Sequence, residues 1–93
     1  NNAMILCQSC GMPIETDDLM GLNEDGSLNA EYCTYCYNKG KFTNNFTMDQ
    51  MIMHCLSFID QMNVGSKKSI SREDALLKMK EYFPKLKRWK VEE

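Results

Sequence analysis

Two Cys-x-x-Cys pairs constrain the fold of this chain more than any other feature of its sequence. The first pair is Cys7 and Cys10, the second is Cys33 and Cys36, and the 22 residues 11–32 separate them. A two-residue spacer allows a tight turn to point both sulfur atoms at one ion, and two such turns complete a tetrahedron of thiolates that suits Zn²⁺. We therefore predict one structural zinc ion, bound by these four cysteines.

Disulfides, redox dithiols and iron are the alternatives for these cysteines. Disulfides need an oxidising compartment. We find no signal peptide ahead of Cys7 and no apolar run of the roughly 20 residues that cross a membrane, so we expect a cytoplasmic protein without membrane association. Spacing does not separate zinc from the iron of a rubredoxin-like electron-transfer site, and that alternative stays open.

The chain is too short to rely on its apolar core alone. A chain of 93 residues buries only about 60–65% of its unfolded surface, and the stretch 7–36 is poor in large apolar residues. A structural zinc ion supplies an apparent ~10–16 kcal/mol at neutral pH. We predict a small α+β metal-stabilised domain, in which metal binding is a condition of folding.

Three segments are predicted along the chain. Residues 1–3 precede Met4 and resemble an expression-tag remnant, residues 4–46 form a four-cysteine zinc-binding lobe, and residues 47–93 add a helical hairpin and a short C-terminal helix to form one compact unit with the lobe. Within the lobe, Asp25-Gly26 predicts a β-hairpin between strands at 19–23 and 28–33.

The two cysteine pairs differ in the residue that follows them. Gly11 follows Cys10, where a metal-binding turn needs a positive φ, but Tyr37 follows Cys36 and the next glycine is Gly40. The second pair therefore lies either on a hairpin turn, as in a zinc ribbon, or on a helical turn ended by Gly40, as in a treble clef. The sequence slightly favours the helical turn.

Capping residues and apolar spacing predict the helices. Thr47 and Gln50 form a capping box, and a helical stripe predicts one helix over 47–62, ended at 63–65 with Gly65 as its cap. Ser71 is the predicted N-cap of a second helix, which Pro84 ends, and 85–91 is predicted as a last short helix. The stripe of the first helix is Met48, Met51, Ile52, Cys55, Leu56, Ile59 and Met62; that of the second is Ala75, Leu76, Met79, Tyr82 and Phe83.

Cys55, His54 and the methionines of the first helix are interpreted as structural residues rather than as catalytic or metal-binding ones. Cys55 lies on the apolar stripe, His54 points about 100° away from it, and we expect Cys55 in the core and His54 toward solvent. The methionines of the stripe are predicted to fill the core, with Met53 off the stripe as the exception. Because four thiolates close a tetrahedral shell, and a catalytic zinc keeps a position open, no enzymatic activity is expected.

Charge is unevenly distributed along the chain. Residues 1–46 carry six acids and two lysines, a net charge of −4, whereas 47–93 carry nine basic and seven acidic residues, a net charge of +2. An acidic lobe disfavours nucleic-acid binding by the ribbon itself. Contact with nucleic acid through the basic C-terminal segment is an alternative, and its candidate residues are Lys85, Lys87, Arg88, Trp89 and Lys90.

Several segments together resemble the bacterial putative zinc-ribbon domain family, in which a four-cysteine ribbon precedes C-terminal helices. They are Cys7-Gln8-Ser9-Cys10-Gly11-Met12-Pro13, the Asp25-Gly26 turn, Glu31-Tyr32-Cys33-Thr34-Tyr35-Cys36-Tyr37, Gly40-Lys41-Phe42, and Leu86-Lys87-Arg88-Trp89-Lys90. The resemblance implies a zinc site at the four cysteines and a domain found alone or beside bacterial transcriptional-regulator and effector-binding modules. We therefore predict interaction with a protein partner in a transcription-related setting.

Overall fold

A computed structural model describes residues 5–64 and 69–90. The predicted tag remnant, the cap at Gly65 and the last position of the predicted C-terminal helix, Val91, lie outside the described residues, as does the side chain of Met62. The elements are β1 (Met20–Leu22), β2 (Leu28–Cys33), β3 (Tyr37–Asn38), β4 (Lys41–Phe42), α1 (Met48–Leu56), α2 (Ile59–Asn63) and α3 (Arg72–Tyr82), with single 3-10 turns at Asp17–Leu19, Phe83–Lys85 and Lys87–Trp89.

The predicted β-hairpin is confirmed and leads into the second cysteine pair. Strands β1 and β2 are antiparallel, and the amide of Asn23 donates to the carbonyl of Ser27 at 2.8 Å across the connecting turn. The register is irregular between Met20 and Gly21, and Met20 lies opposite Cys33. The hairpin therefore delivers Cys33 to the end of β2, as the sequence predicts.

The second cysteine pair lies on a turn between strands, so the helical-turn alternative is wrong. A turn over 34–36 connects β2 to β3, and β3 pairs with β4 through a turn in which Gly40 has φ 79°. Tyr37 and Phe42 thereby pack against Tyr32, with ring centroids 5.0 and 4.9 Å away. Extended strands place these rings on one face, which explains why the ribbon arrangement prevails over a helix.

The start of α1 is as predicted. Thr47 Oγ1 accepts from the amide of Gln50 at 3.2 Å, and Gln50 Oε1 accepts from the amide of Thr47 at 2.9 Å, which completes the capping box. Met51 and Ile52 are buried, whereas Met53 is 54% exposed, in agreement with its place off the apolar stripe.

The predicted single helix over 47–62 is wrong, because it breaks after Leu56. The hydroxyl of Ser57 donates to the carbonyl of His54 at 2.5 Å, and the amide of Phe58 donates to the carbonyl three residues before it, that of Cys55, at 3.1 Å. Phe58 then adopts φ −104° and ψ 6°, outside the helical region, before the short helix α2. The apolar residues keep their helical spacing on both sides of the break, so this spacing gave no sign of the break.

The helix α3 begins at the predicted cap, and the segment after it forms short 3-10 turns rather than an α-helix. Ser71 Oγ accepts from the amide of Asp74 at 3.1 Å. After Pro84, Leu86 is extended, with φ −74° and ψ 144°, and only one 3-10 turn follows. The predicted short helix over 85–91 is therefore present only as the 3-10 turn Lys87–Trp89. The extended backbone before it buries Leu86, which is 3% exposed, in the core.

One apolar core joins the cysteines to the helices. Helices α1 and α3 pack on each other, and Arg72 Nη1 donates to the carbonyl of Leu56, at the end of α1, at 3.1 Å. The buried members of this core are Cys7, Ile14, Tyr32, Cys33, Cys36, Met51, Ile52, Leu56, Ile59, Ala75, Phe83 and Leu86. The small α+β fold class is thus confirmed. Among the described helices, none has the length and apolarity to cross a membrane.

Candidate metal centre

The structure brings the four predicted ligands together. The Sγ atoms of Cys7, Cys10, Cys33 and Cys36 all lie within 4.8 Å of one another, and the Sγ atoms of Cys10 and Cys33 are 3.8 Å apart. Four sulfurs placed about 2.3 Å from one ion in a tetrahedron are about 3.8 Å apart. The cluster therefore fits a tetrahedral thiolate-bound metal ion.

The first cysteine pair lies on a turn that its flanking residues close. Leu6 and Pro13 form an isolated antiparallel bridge, and the amide of Cys7 donates to the carbonyl of Met12 at 2.8 Å. Gly11 has φ 79°, as predicted, a conformation that residues with a Cβ rarely adopt. The turn therefore returns the chain on itself immediately after Cys10.

The second pair is held by the hairpin that follows it. The amide of Cys36 donates to the carbonyl of Cys33 at 3.1 Å, and the amide of Thr43 donates to the carbonyl of Cys36 at 2.9 Å. The hydroxyl of Thr43 donates to the carbonyl of Tyr35 at 2.7 Å. The Tyr35 side chain, between the two ligands of this pair, is 68% exposed. The pairing of β3 with β4 thus sets the position of the turn.

Backbone amides stabilise negative charge on Cys7. Its Sγ accepts from the amide of Ser9 at 3.4 Å and from the amide of Cys33 at 3.2 Å. The pKa of Cys7 lies below its ordinary value, chiefly because of the contact with the Cys10 side chain and then those with Cys33 and Cys36. Contacts with Cys33, Cys36 and Cys7 raise the pKa of Cys10. Four thiols this close cannot all ionise unless a cation balances their charge.

The C-terminal segment contacts the first cysteine pair, which sequence reasoning missed. Arg88 Nη1 donates to Ser9 Oγ at 2.9 Å, and Trp89 Nε1 donates to the carbonyl of Ser9 at 2.6 Å. The amide of Arg88 also donates to the carbonyl of Gln8 at 3.0 Å. Arg88 and Trp89 lie in Leu86-Lys87-Arg88-Trp89-Lys90, one of the segments that carry the family resemblance. That resemblance was the signal that could have pointed to them.

Three of the five residues predicted to contact nucleic acid bind the N-terminal lobe instead of pointing freely outward. Lys87 Nζ lies 2.8 Å from Glu31 Oε2 in an exposed ion pair, and Arg88 and Trp89 are half-buried against Ser9. Lys85 and Lys90 are exposed. Of the five side chains, those of Arg88 and Trp89 are therefore partly removed from solvent, whereas the three lysines stay exposed.

Cys55 lies beside the metal centre but is not one of the four clustered cysteines. Its side chain is half-buried, with Sγ 4.0 Å from the carbonyl oxygen of Cys10. Burial, followed by the charges of Cys7 and Cys33, raises the pKa of Cys55 to about 11. His54 is exposed, and its ring lies 5.3 Å from that of Phe58. A thiol with a raised pKa is a poor nucleophile at neutral pH, in keeping with the core interpretation.

Comparison with known proteins gives one family. The family model described as "Putative zinc ribbon domain" matches residues 6–90. No curated protein and no solved structure matches the chain. The match includes both cysteine pairs, the two hairpins and the helices through the C-terminal 3-10 turn.

Proposed function

We propose that this chain, which belongs to the putative zinc ribbon domain family, holds one structural Zn²⁺ ion and binds a protein partner in a transcription-related regulatory setting of the bacterial cytoplasm. The four clustered cysteines carry the metal part of this proposal. The choice of zinc over iron rests on the family, because the sulfur separation suits both ions.

The closed cysteine cluster supports a structural role for the metal. Cys7 and Cys33 are 0% exposed and Cys36 is 4% exposed. A metal held by four thiolates in such a setting has no position left for water or substrate, which a catalytic zinc requires. The cluster also lies in the same apolar core as the helices, so the metal links the two hairpins to the rest of the fold.

Exposed apolar side chains near and beyond the metal centre support the partner part of the proposal. Tyr35 is 68% exposed between two ligands, and Leu77 on α3 is 67% exposed. Tyrosine is enriched where proteins bind each other, because it gives a large contact area at a low cost in conformational entropy. The metal fixes the turn that presents Tyr35, which would make partner binding depend on the metal.

Elemental analysis of the purified protein tests the metal assignment. We expect one zinc ion per chain, removed by chelator under denaturing conditions and restored on refolding with Zn²⁺. Visible absorption from a ferric tetrathiolate, with iron in place of zinc, would overturn the assignment and favour electron transfer.

Site-directed photo-crosslinking tests the partner assignment. A photoreactive phenylalanine analogue at position 35 should capture a specific protein in bacterial cells, whereas the same group at the exposed position of Glu81 should not. The purified partner should then bind the metal-loaded protein, bind Tyr35→Ser at least about tenfold more weakly, and fail to bind Cys33→Ser. Equal capture at both positions would contradict the proposal.

Binding to nucleic acid remains the competing function, and the contacts of Arg88 and Trp89 count against it. Salt-dependent retention of DNA or RNA that is lost on changing Lys85 and Lys90 to alanine would favour that function over a protein partner. No retention at low salt would exclude it.

A further inference from the structure

The spacer residues of the first cysteine pair are held from the far end of the chain. Ser9 is 0% exposed and accepts hydrogen bonds at both its hydroxyl, from Arg88, and its carbonyl, from Trp89. Gln8 accepts at its carbonyl from the amide of Arg88 and at Oε1 from the amide of Lys87 at 2.9 Å. Both residues between Cys7 and Cys10 are thus fixed by the 3-10 turn Lys87–Trp89.

The guanidinium of Arg88 contacts both halves of the metal-binding lobe. Its Nη2 donates to the carbonyl of Asn44 at 2.9 Å and to Oδ1 of the same residue at 3.1 Å. The guanidinium carbon lies 4.0 Å from the centre of the Phe42 ring, at the end of the second hairpin, and 4.4 Å from the Trp89 ring. Arg88 therefore ties the spacer of the first pair to the hairpin that positions the second pair.

Ser9 connects these contacts to the sulfur atoms. Its amide donates to Cys7 Sγ at 3.4 Å. Because Arg88 holds the Ser9 hydroxyl and Trp89 holds its carbonyl, they also hold the amide that donates to Cys7 Sγ.

We infer that the C-terminal turn is part of the metal site: Arg88 and Trp89 are positioning residues that hold Ser9, and through it the first cysteine pair, in the conformation that binds the metal. This inference rests on the proposed metal binding. Groups that orient metal ligands through hydrogen bonds typically contribute about 10–100-fold to metal affinity. This role falls on two residues that the sequence offered as candidates for nucleic-acid contact.

Metal titration of the full chain tests the inference. Zn²⁺ affinity is measured by competition with a chromophoric chelator, for the parent, Ser9→Ala, Arg88→Ala and Arg88→Lys. We expect losses of about 10–100-fold for the first two variants. Arg88→Lys should recover only part of the loss, because an ammonium cannot reproduce the forked contacts to Ser9 and Asn44. Lys78→Ala, on the exposed side of α3, should leave the affinity unchanged.

A second measurement separates positioning from general destabilisation. Co²⁺ is bound in place of Zn²⁺, and the sulfur-to-cobalt charge-transfer band is recorded at saturation. Ser9→Ala removes the hydroxyl that Arg88 holds, so the Ser9 amide should move away from Cys7 Sγ. A weaker hydrogen bond raises the donor strength of that sulfur, which should move the band to longer wavelength. Ala75→Gly, which weakens the core at α3 away from the spacer, should lower stability without moving the band.

The outcomes separate the inference from the proposed function. A parent protein that binds neither ion would overturn the proposed function and the inference with it. A parent that binds while Ser9→Ala and Arg88→Ala keep its affinity and its band would overturn the inference alone. The inference alone would also be overturned if Ser9→Ala and Arg88→Ala lose affinity without a shift of the charge-transfer band, and if Ala75→Gly loses as much affinity for an equal loss of stability.

Discussion

The ring of Tyr82 occupies the space that a side chain at Gly11 would need. A Cβ atom built at Gly11 would lie 2.7 Å from Tyr82 Cε2 and 2.8 Å from its hydroxyl oxygen, and the Tyr82 hydroxyl lies 3.5 Å from the carbonyl oxygen of Gly11. The last turn of α3 therefore packs directly on the turn that follows the first cysteine pair. Gly11 serves two purposes, a positive φ and a close contact with the helix.

Gly11→Ala should lower the free energy of unfolding of the metal-loaded protein more than Gly26→Ala does. Both glycines have positive φ, so both variants carry a backbone cost of about 1–2 kcal/mol. Only Gly11 also meets the Tyr82 ring, because nothing lies within 4 Å of a Cβ at Gly26. The steric difference should be about 1–3 kcal/mol, measured by denaturant titration. Equal losses of unfolding free energy in the two variants would mean that α3 moves away from the new methyl group at position 11 at no cost in free energy.

Cys10→Ser or Cys33→Ser should abolish metal binding and with it the folding of the lobe. Three thiolates and a hydroxyl do not reproduce the tetrathiolate site. In a lobe this small, the free energy of metal binding is what stabilises the folded state. Circular dichroism melts and elemental analysis measure the two effects. Cys55→Ser is the matched control, because Cys55 is not one of the clustered ligands, and its metal content should equal that of the parent. A Cys33→Ser melt that coincides with the parent would refute the prediction.

Alkylation of Cys55 should be slow at pH 8 and accelerate steeply toward pH 11. Burial raises the pKa of Cys55 to about 11, so the thiolate fraction at pH 8 is on the order of 0.1%, against roughly a quarter for an ordinary thiol with pKa about 8.5. The raised pKa keeps the thiol protonated at pH 8. Raising the pH toward 11 increases the thiolate fraction, and the alkylation rate rises with it. Mass spectrometry of the labelled, metal-loaded protein follows this site. A rate at pH 8 equal to that of a free thiol would contradict burial.

Arg88→Ala should destabilise the metal-loaded protein far more than Lys87→Ala. Lys87 forms an exposed ion pair with Glu31, and such pairs contribute little. Arg88 is half-buried, bonded to Ser9 and Asn44 and stacked on Phe42, so its loss should cost about 2–4 kcal/mol. Chemical unfolding of the two single variants under matched metal loading gives the comparison. Similar unfolding midpoints for the two variants would show that the guanidinium contacts are not needed for stability.

The helix caps, the first hairpin and the apolar stripe followed from local rules. Thr47, Ser71 and Asp25-Gly26 act through atoms within a few residues of themselves, so their roles can be read from neighbouring positions alone. The break after Leu56 could not be read in this way. Ser57 donates to the carbonyl of His54 three residues earlier, but serine also forms such a bond inside continuous helices, so its presence does not by itself predict a break.

The sequence by itself determined the ligand set, because two Cys-x-x-Cys turns leave few other uses for four thiols in so small a chain. Only the tertiary structure decided that the second pair lies on a ribbon hairpin, since the stacking of Tyr32, Tyr37 and Phe42 is a contact between strands. It also decided that Arg88 and Trp89 face Ser9, about 80 positions away along the chain. Contacts at that separation depend on how the helices return the chain to the cysteines, which no local pattern encodes.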